Sequence, residues 1–226
     1  MLNVSPVVND ISREQQLKIT EIFYSIQGES TLSGWPTVFV RLTGCPLRCH
    51  YCDTEYAFHG GNWLNFNQIV DEVKEFSCQH VCVTGGEPLA QTRCIGLLEQ
   101  LCDAGFTVSL ETSGALDVAS VDPRVIKVID VKTPDSGEHE RNRWQNLEHL
   151  QTHDQLKFVI CSREDFDWAI TEVRTRNLTS ITNVLFSPSD LQMKVEDLTN
   201  WLLEAHLPIR LQVQLHKQIW GDKPGT

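Results

Sequence analysis

Apolar positions fall into short runs separated by longer stretches with helical periodicity. Ile19-Thr20-Glu21-Ile22-Phe23-Tyr24-Ser25-Ile26 and Thr37-Val38-Phe39-Val40-Arg41-Leu42 are β-branched or aromatic and largely alternating, which predicts strands. Runs at 80–84, 106–111, 125–131, 155–160, 183–186 and 209–214 read the same way. Between them, helices are predicted over 66–76, 91–104, 139–150, 164–176 and from Asp190 or Lys194 to Ala205. Ile69, Val70 and Val73 share one face of the first, Asn65 or Asn67 can cap it, and Gly105 stops the second. The connection after 111 is too short and too rich in Asp and Pro for a helix.

Strands alternating with helices predict a parallel sheet with helical crossovers. A closed eight-unit barrel typically takes about 250 residues, and the chain has 226. The expected fold is therefore α/β, an incomplete, open (β/α) barrel of about six parallel strands. Residues 1–18 are expected to form an N-terminal tail and 19–226 one core domain. In such sheets, sites gather at the C-terminal ends of strands.

Hydrophobic residues make up 41% and charged residues 22%, the balance of a soluble protein with a real core. No apolar run approaches a membrane span, and the polar start lacks the apolar centre of a signal peptide, so a cytoplasmic location is expected. A net charge of −11 disfavours polynucleotides and favours a small molecule in an enclosed site. Eight cysteines without a secretion signal are a poor disulfide framework. Cys78, Cys82, Cys94, Cys102 and Cys161 read as core or near-surface thiols.

The other three change the picture. Cys45-Pro46-Leu47-Arg48-Cys49-His50-Tyr51-Cys52-Asp53-Thr54 follows a strand and sets its cysteines in CxxxCxxC spacing. Three thiolates can hold three corners of a soft metal centre and leave one position open for chemistry. A zinc knuckle, with His50 or His59 as fourth ligand, or a group of buried thiols would use the same residues. The loop, with its aromatic Tyr51, resembles the cluster loop of the radical S-adenosylmethionine (SAM) superfamily. That resemblance implies a [4Fe–4S] cluster on Cys45, Cys49 and Cys52, with SAM on the fourth iron. Thr84-Gly85-Gly86-Glu87-Pro88 is similar to the superfamily's GGE motif and implies that Gly86 and Glu87 meet the SAM amino group. Further SAM contacts are implied at Tyr51, Asp53, Glu111, Asp130, Val131, Ser187 and Ser189, with Lys132 at the SAM carboxylate.

Within the superfamily, Ser25-Ile26-Gln27-Gly28-Glu29-Ser30, Cys52-Asp53-Thr54, Glu111-Thr112-Ser113-Gly114, Leu215-His216-Lys217 and Trp220-Gly221 resemble the 7-carboxy-7-deazaguanine synthase (QueE) family, from Ile19 to the C-terminus. One departure is Asp130-Val131, where some relatives have Ser-Pro. The resemblance implies conversion of 6-carboxy-5,6,7,8-tetrahydropterin to 7-carboxy-7-deazaguanine and ammonia, on the route to queuosine and other 7-deazapurines. It implies substrate contacts at Ile26, Gln27, Gly28, Glu29, Arg41, Thr84 and His216, and Mg²⁺ at Thr54. It also implies an external one-electron donor of flavodoxin or ferredoxin type and a homodimer. Arg41 suits a carboxylate because its planar fork matches two acceptors; pairing with Glu29 or Glu111 is its other expected fate. Two other classes use such a loop: a glycyl-radical-enzyme activating enzyme, which acts on a partner protein, and a zinc or iron–sulfur structural module.

Overall fold

The computed structural model describes residues 15–190, 192–221, 223 and 225. Among them, nine strands form one sheet: β1 (Gln16–Ile26), β2 (Pro36–Leu42), β3 (Asn62–Asn65), β4 (His80–Gly85), β5 (Thr107–Thr112), β6 (Ile126–Val131), β7 (Gln155–Ile160), β8 (Asn183–Pro188) and β9 (Ile209–Leu211). Their order is β3-β1-β2-β4-β5-β6-β7-β8-β9, so the sheet stays open, with β3 and β9 at its edges. From β2 onward in that order seven strands run parallel through six neighbouring pairs, and β1 is antiparallel to both β2 and β3. This is the expected open barrel with one more parallel strand.

Helices α1 (Phe66–Glu75), α2 (Cys94–Asp103), α3 (Arg163–Thr175), α4 (Val195–Ala205) and α5 (Leu215–Trp220) complete the frame. A reciprocal capping box between Asn65 and Gln68 starts α1. Ile69, Val70 and Val73 then face the core, while α2 buries Leu97, Leu98 and Leu101. Each such side chain contributes about 1.5–3 kcal/mol by leaving water. Among the described residues no helix is long and apolar enough to cross a membrane.

Strand alternation sorts the parallel strands into two sets. Val38, Val40, Leu42, Val81, Val83, Leu110, Ile129, Val131, Leu156 and Phe158 belong to the hydrophobic core. Phe39, Arg41, Thr84, Glu111, Asp130 and Lys157, of the opposite parity, face an interior cavity. This is why charged residues sit inside otherwise apolar runs.

Four expectations need correction. Residues 139–150 do not form one helix but short 3-10 turns at His139–Arg141 and Trp144–His149. Asn146 turns inward there, donating to the Gly114 and Leu116 carbonyls and accepting from Val118 N–H, which ties the segment to the loop after β5. β1 begins at Gln16, so the stretch expected as a tail supplies its first residues, and 1–14 lie outside the described residues. The last strand stops at Leu211, and Leu215-His216-Lys217 opens α5 instead of closing a strand. β3, four residues long, has no counterpart in the sequence reading.

Candidate active site

The C-terminal ends of the parallel strands surround a cavity of about 650 Å³. The loop after β2 forms one wall. Gly44 turns with φ +100° and donates to the Ala57 carbonyl at 2.8 Å. Glu87 N–H reaches the Gly44 carbonyl at 2.9 Å and Gly86 N–H that of Leu42 at 3.3 Å, so the β4 turn is stitched to the cysteine loop. A Cβ on Gly86 would stand 2.4 Å from Gly44 O and 2.7 Å from Cys45 Cβ. Glycine there permits this contact between two backbones.

Cys45, Cys49 and Cys52 are half-buried and all line the cavity. Burial pushes the Cys49 thiol up to about 11, against the pull of Lys132, and raises Cys45 and Cys52 too. Metal binding must therefore expel their protons. A single zinc ion needs sulfur ligands at about 2.3 Å. Among the described residues no three His, Cys, Asp or Glu side chains converge in that way. A polynuclear cluster, which takes each cysteine at a different iron, fits this spacing and this soft donor set. The ring of His50, a possible fourth zinc ligand, lies against Gly137 instead.

Glu87 departs from expectation. It is fully buried and does not line the cavity. Its carboxylate accepts from Leu89 N–H (3.0 Å), Thr112 Oγ1 (2.9 Å), Ser113 N–H (2.7 Å) and Ser113 Oγ (2.5 Å). It caps the turn after β4 and fastens it to the end of β5, while Gly85 and Gly86 line the cavity. Val131, another expected SAM contact, packs its side chain in the core, away from the cavity.

Across the floor runs a ladder of charges. Lys132 Nζ lies 3.0 Å from Asp130, Asp130 lies 3.7 Å from Lys157, and Lys157 Nζ donates to Glu29 at 2.5 Å. Gln214 closes it with a 2.8 Å bond to the other Glu29 oxygen. Burial alone would lower the pKa of Lys157, but Glu29 and Asp130 hold it above the ordinary lysine value; Lys132 is likewise raised by Asp130. Lys157 and Gln214 were missed in the sequence. The available signal was a lysine at a central position of the apolar run Gln155–Ile160. Asp130 Oδ1 and the Tyr51 hydroxyl are buried without a partner, as expected of groups that await a ligand.

Ile26, Gln27, Gly28, Glu29, Thr84 and Glu111 also line the cavity. Gln27 Nε2 and Thr84 Oγ1 donate to the two oxygens of Glu111, at 3.4 and 3.2 Å. Burial, with Glu29 close by, raises the Glu111 pKa. These bonds place Glu111, expected at SAM, beside the residues expected at the pterin. The rings of Phe23 and Phe39 stack at 4.9 Å and form a flat wall. Arg41 also lines the cavity, but its Nε bonds Glu21 at 2.7 Å, not Glu29 or Glu111. Glu21 is its cross-strand neighbour on β1, which explains the choice. His216 Nδ1 would lie 2.0 Å from a Cβ on Gly28, so that glycine makes room for the ring.

Tyr51, Asp53, Thr54, Ser187 and Ser189 line the cavity as well. Thr54 Oγ1 donates to Asp53 at 2.8 Å. Burial would raise Asp53, yet this bond and the charges of Lys217 and Lys157 hold its pKa below the usual carboxylate value.

An open parallel sheet with a three-cysteine loop at the C-terminal end of its first parallel strand defines the radical SAM class, and the Radical SAM superfamily model matches residues 39–132. The chain is 43% identical to the 7-carboxy-7-deazaguanine synthase of Chlorobaculum tepidum, over 93% of this chain and 97% of that one. It is 42% identical to the enzyme of that name from Koribacter versatilis, over 90% and 97%. The crystal structure of QueE from Escherichia coli shares the fold with a TM-score of 0.76 at 23% identity, covering 92% of this chain and all of that one. The chain belongs to the 7-carboxy-7-deazaguanine synthase family.

Proposed function

We propose that this chain is a radical SAM lyase that converts 6-carboxy-5,6,7,8-tetrahydropterin to 7-carboxy-7-deazaguanine with loss of ammonia. One observation carries the reading. A single cavity joins the three-cysteine loop to a polar floor of Gln27, Thr84 and Glu111 beside a flat aromatic wall. That floor suits a planar heterocycle with many hydrogen-bonding edges, held next to a redox cluster.

The cluster and SAM, when bound, would supply one-electron chemistry at the C6 hydrogen of the pterin. The protein supplies placement. Cys45, Cys49 and Cys52 would hold the cluster. Lys132 neutralises the SAM carboxylate, and Asp130, Tyr51, Asp53, Ser187, Ser189 and the backbone at Gly86 complete its pocket. Gln27, Gly28, Glu29, Thr84, Glu111 and His216 hold the pterin, with Arg41 toward its carboxylate. Such fixed geometry is worth several kcal/mol of barrier. Thr54, a neutral oxygen ligand, suits a Mg²⁺ ion that keeps waters and shares the substrate carboxylate.

The resemblance alone supports a homodimer, a cytoplasmic setting and an external one-electron donor of flavodoxin or ferredoxin type. The activating-enzyme alternative is not favoured, because the matching relatives bear the synthase name over nearly their whole length. Pterin labelled with deuterium at C6 tests the reading: label should pass to the 5′ carbon of SAM. Turnover without such transfer would overturn the proposed hydrogen path.

A further inference from the structure

Residues 133–138, beyond β6 and Lys132, have no part in the function just described, yet they grip the cysteine loop. Arg48 N–H donates to Glu138 Oε1 at 2.6 Å, and His50 N–H to the Ser136 carbonyl at 3.1 Å. These are the residues on either side of Cys49. His50 Nδ1 lies 3.0 Å from the Asp135 carbonyl. A carbonyl only accepts, so Nδ1 bears the proton. Gly137 stands beneath the ring at φ +76°, and a Cβ there would sit 2.9 Å from two ring atoms.

The gripping loop is itself fixed. Ser136 is fully buried, donates to the Thr133 carbonyl at 2.6 Å and accepts from Glu138 N–H at 3.0 Å. Asp135 N–H is held by Asp165 of α3 at 2.9 Å, and Thr133 Oγ1 bonds the Val159 carbonyl of β7 at 2.9 Å. On the other side, the Arg48 guanidinium folds back onto the Cys45 and Leu47 carbonyls and stacks 4.3 Å over Phe58. A short irregular loop with two positions pinned to a rigid neighbour loses little further entropy when it takes up a ligand.

We propose that residues 133–138 form a positioning clasp that sets the cysteine loop in its cluster-binding shape before the cluster arrives, with Glu138 and Gly137 as its working residues. They touch neither SAM nor pterin in this account. Their effect passes through Arg48 and His50 to Cys49, as outer partners orient metal ligands elsewhere.

The test uses the reconstituted full chain and reads iron release to a chelator from the absorbance near 400 nm. Glu138→Ala removes the acceptor, and Gly137→Ala drives a methyl into His50. Each should release iron roughly tenfold faster than the parent, and metal-free Glu138→Ala should melt within about 4 °C of it. Glu138→Gln keeps an oxygen acceptor and should stay near the parent. Gly137→Ala also carries the strain of an alanine at φ +76°, so Glu138→Ala is the sharper of the two variants. Hydrogen exchange on the metal-free protein gives a second reading: the Arg48 amide should be protected in the parent and released in Glu138→Ala. Parent-like iron release in both alanine variants would overturn the clasp. So would an Arg48 amide unprotected in the parent.

Discussion

Removing the Glu87 carboxylate should damage the fold before it damages SAM binding. Glu87→Ala deletes an acceptor that is 0% exposed and serves two backbone amides and two hydroxyls. Loss of the cap at Leu89 costs about 1 kcal/mol. The Ser113 amide, bonded at 2.7 Å, is left buried without a partner, at about 1–3 kcal/mol. The hydroxyls of Thr112 and Ser113 can turn and recover part of their loss, so about 4 kcal/mol in all is expected. Against a typical stability of about 5–15 kcal/mol this is a large share. At about 2–4 °C per kcal/mol for a chain of this size, the melting midpoint should fall by roughly 8–16 °C. Thermal melts of the metal-free protein read it directly. Glu87→Gln keeps the shape and one acceptor, should melt between the two, and should bind SAM as the parent does. If Glu87→Ala melts within about 3 °C of the parent, or if Glu87→Gln melts normally but loses SAM, the carboxylate faces the ligand and the capping argument is wrong.

The remaining predictions concern the cavity. Alanine at Cys45, Cys49 or Cys52 should abolish cluster loading, while alanine at Cys78, Cys94 or Cys102 should leave the absorbance near 400 nm intact. Glu111→Gln should reduce turnover yet stabilise the protein. The raised pKa means that Glu111 favours folding while protonated and loses that contribution as pH rises through its folded value. The variant should therefore melt level with the parent near pH ~4 and above it at pH ~7, and equal midpoints at both would refute the burial cost. Gly28→Ala must move a ring that now stands 2.0 Å from the new Cβ, so pterin KM should rise with SAM affinity unchanged. Thr54→Val removes the oxygen but keeps the shape, and turnover should lose its response to Mg²⁺; an unchanged response would show that Thr54 is no ligand.

Much of this was legible in the chain because parallel strands are buried on both faces and announce themselves as apolar runs. The strand ends were legible for the same reason, and with them Cys45, Gly86, Glu111, Lys132 and Ser187. Side-chain direction was not. Lys157 sits inside a run that reads only as a strand, and the curvature of the sheet decides that its parity faces the cavity. Glu87 points at Ser113, a partner on the next strand that local sequence does not reveal. Arg41 chose Glu21 because β1 runs antiparallel to β2 in that register, a pairing that a βα repeat does not anticipate. Residues 139–150 carry helix-like spacing in Trp144, Leu147 and Leu150, but the demands of the loop after β5 on Asn146 outweigh it.

The most direct measurement is anaerobic turnover of the reconstituted protein with 6-carboxy-5,6,7,8-tetrahydropterin, SAM, dithionite and Mg²⁺, followed by chromatography and mass spectrometry. The account predicts 7-carboxy-7-deazaguanine and ammonia in equal amounts, with product exceeding the SAM consumed. A loaded cluster that cleaves SAM but leaves the pterin unchanged would contradict it.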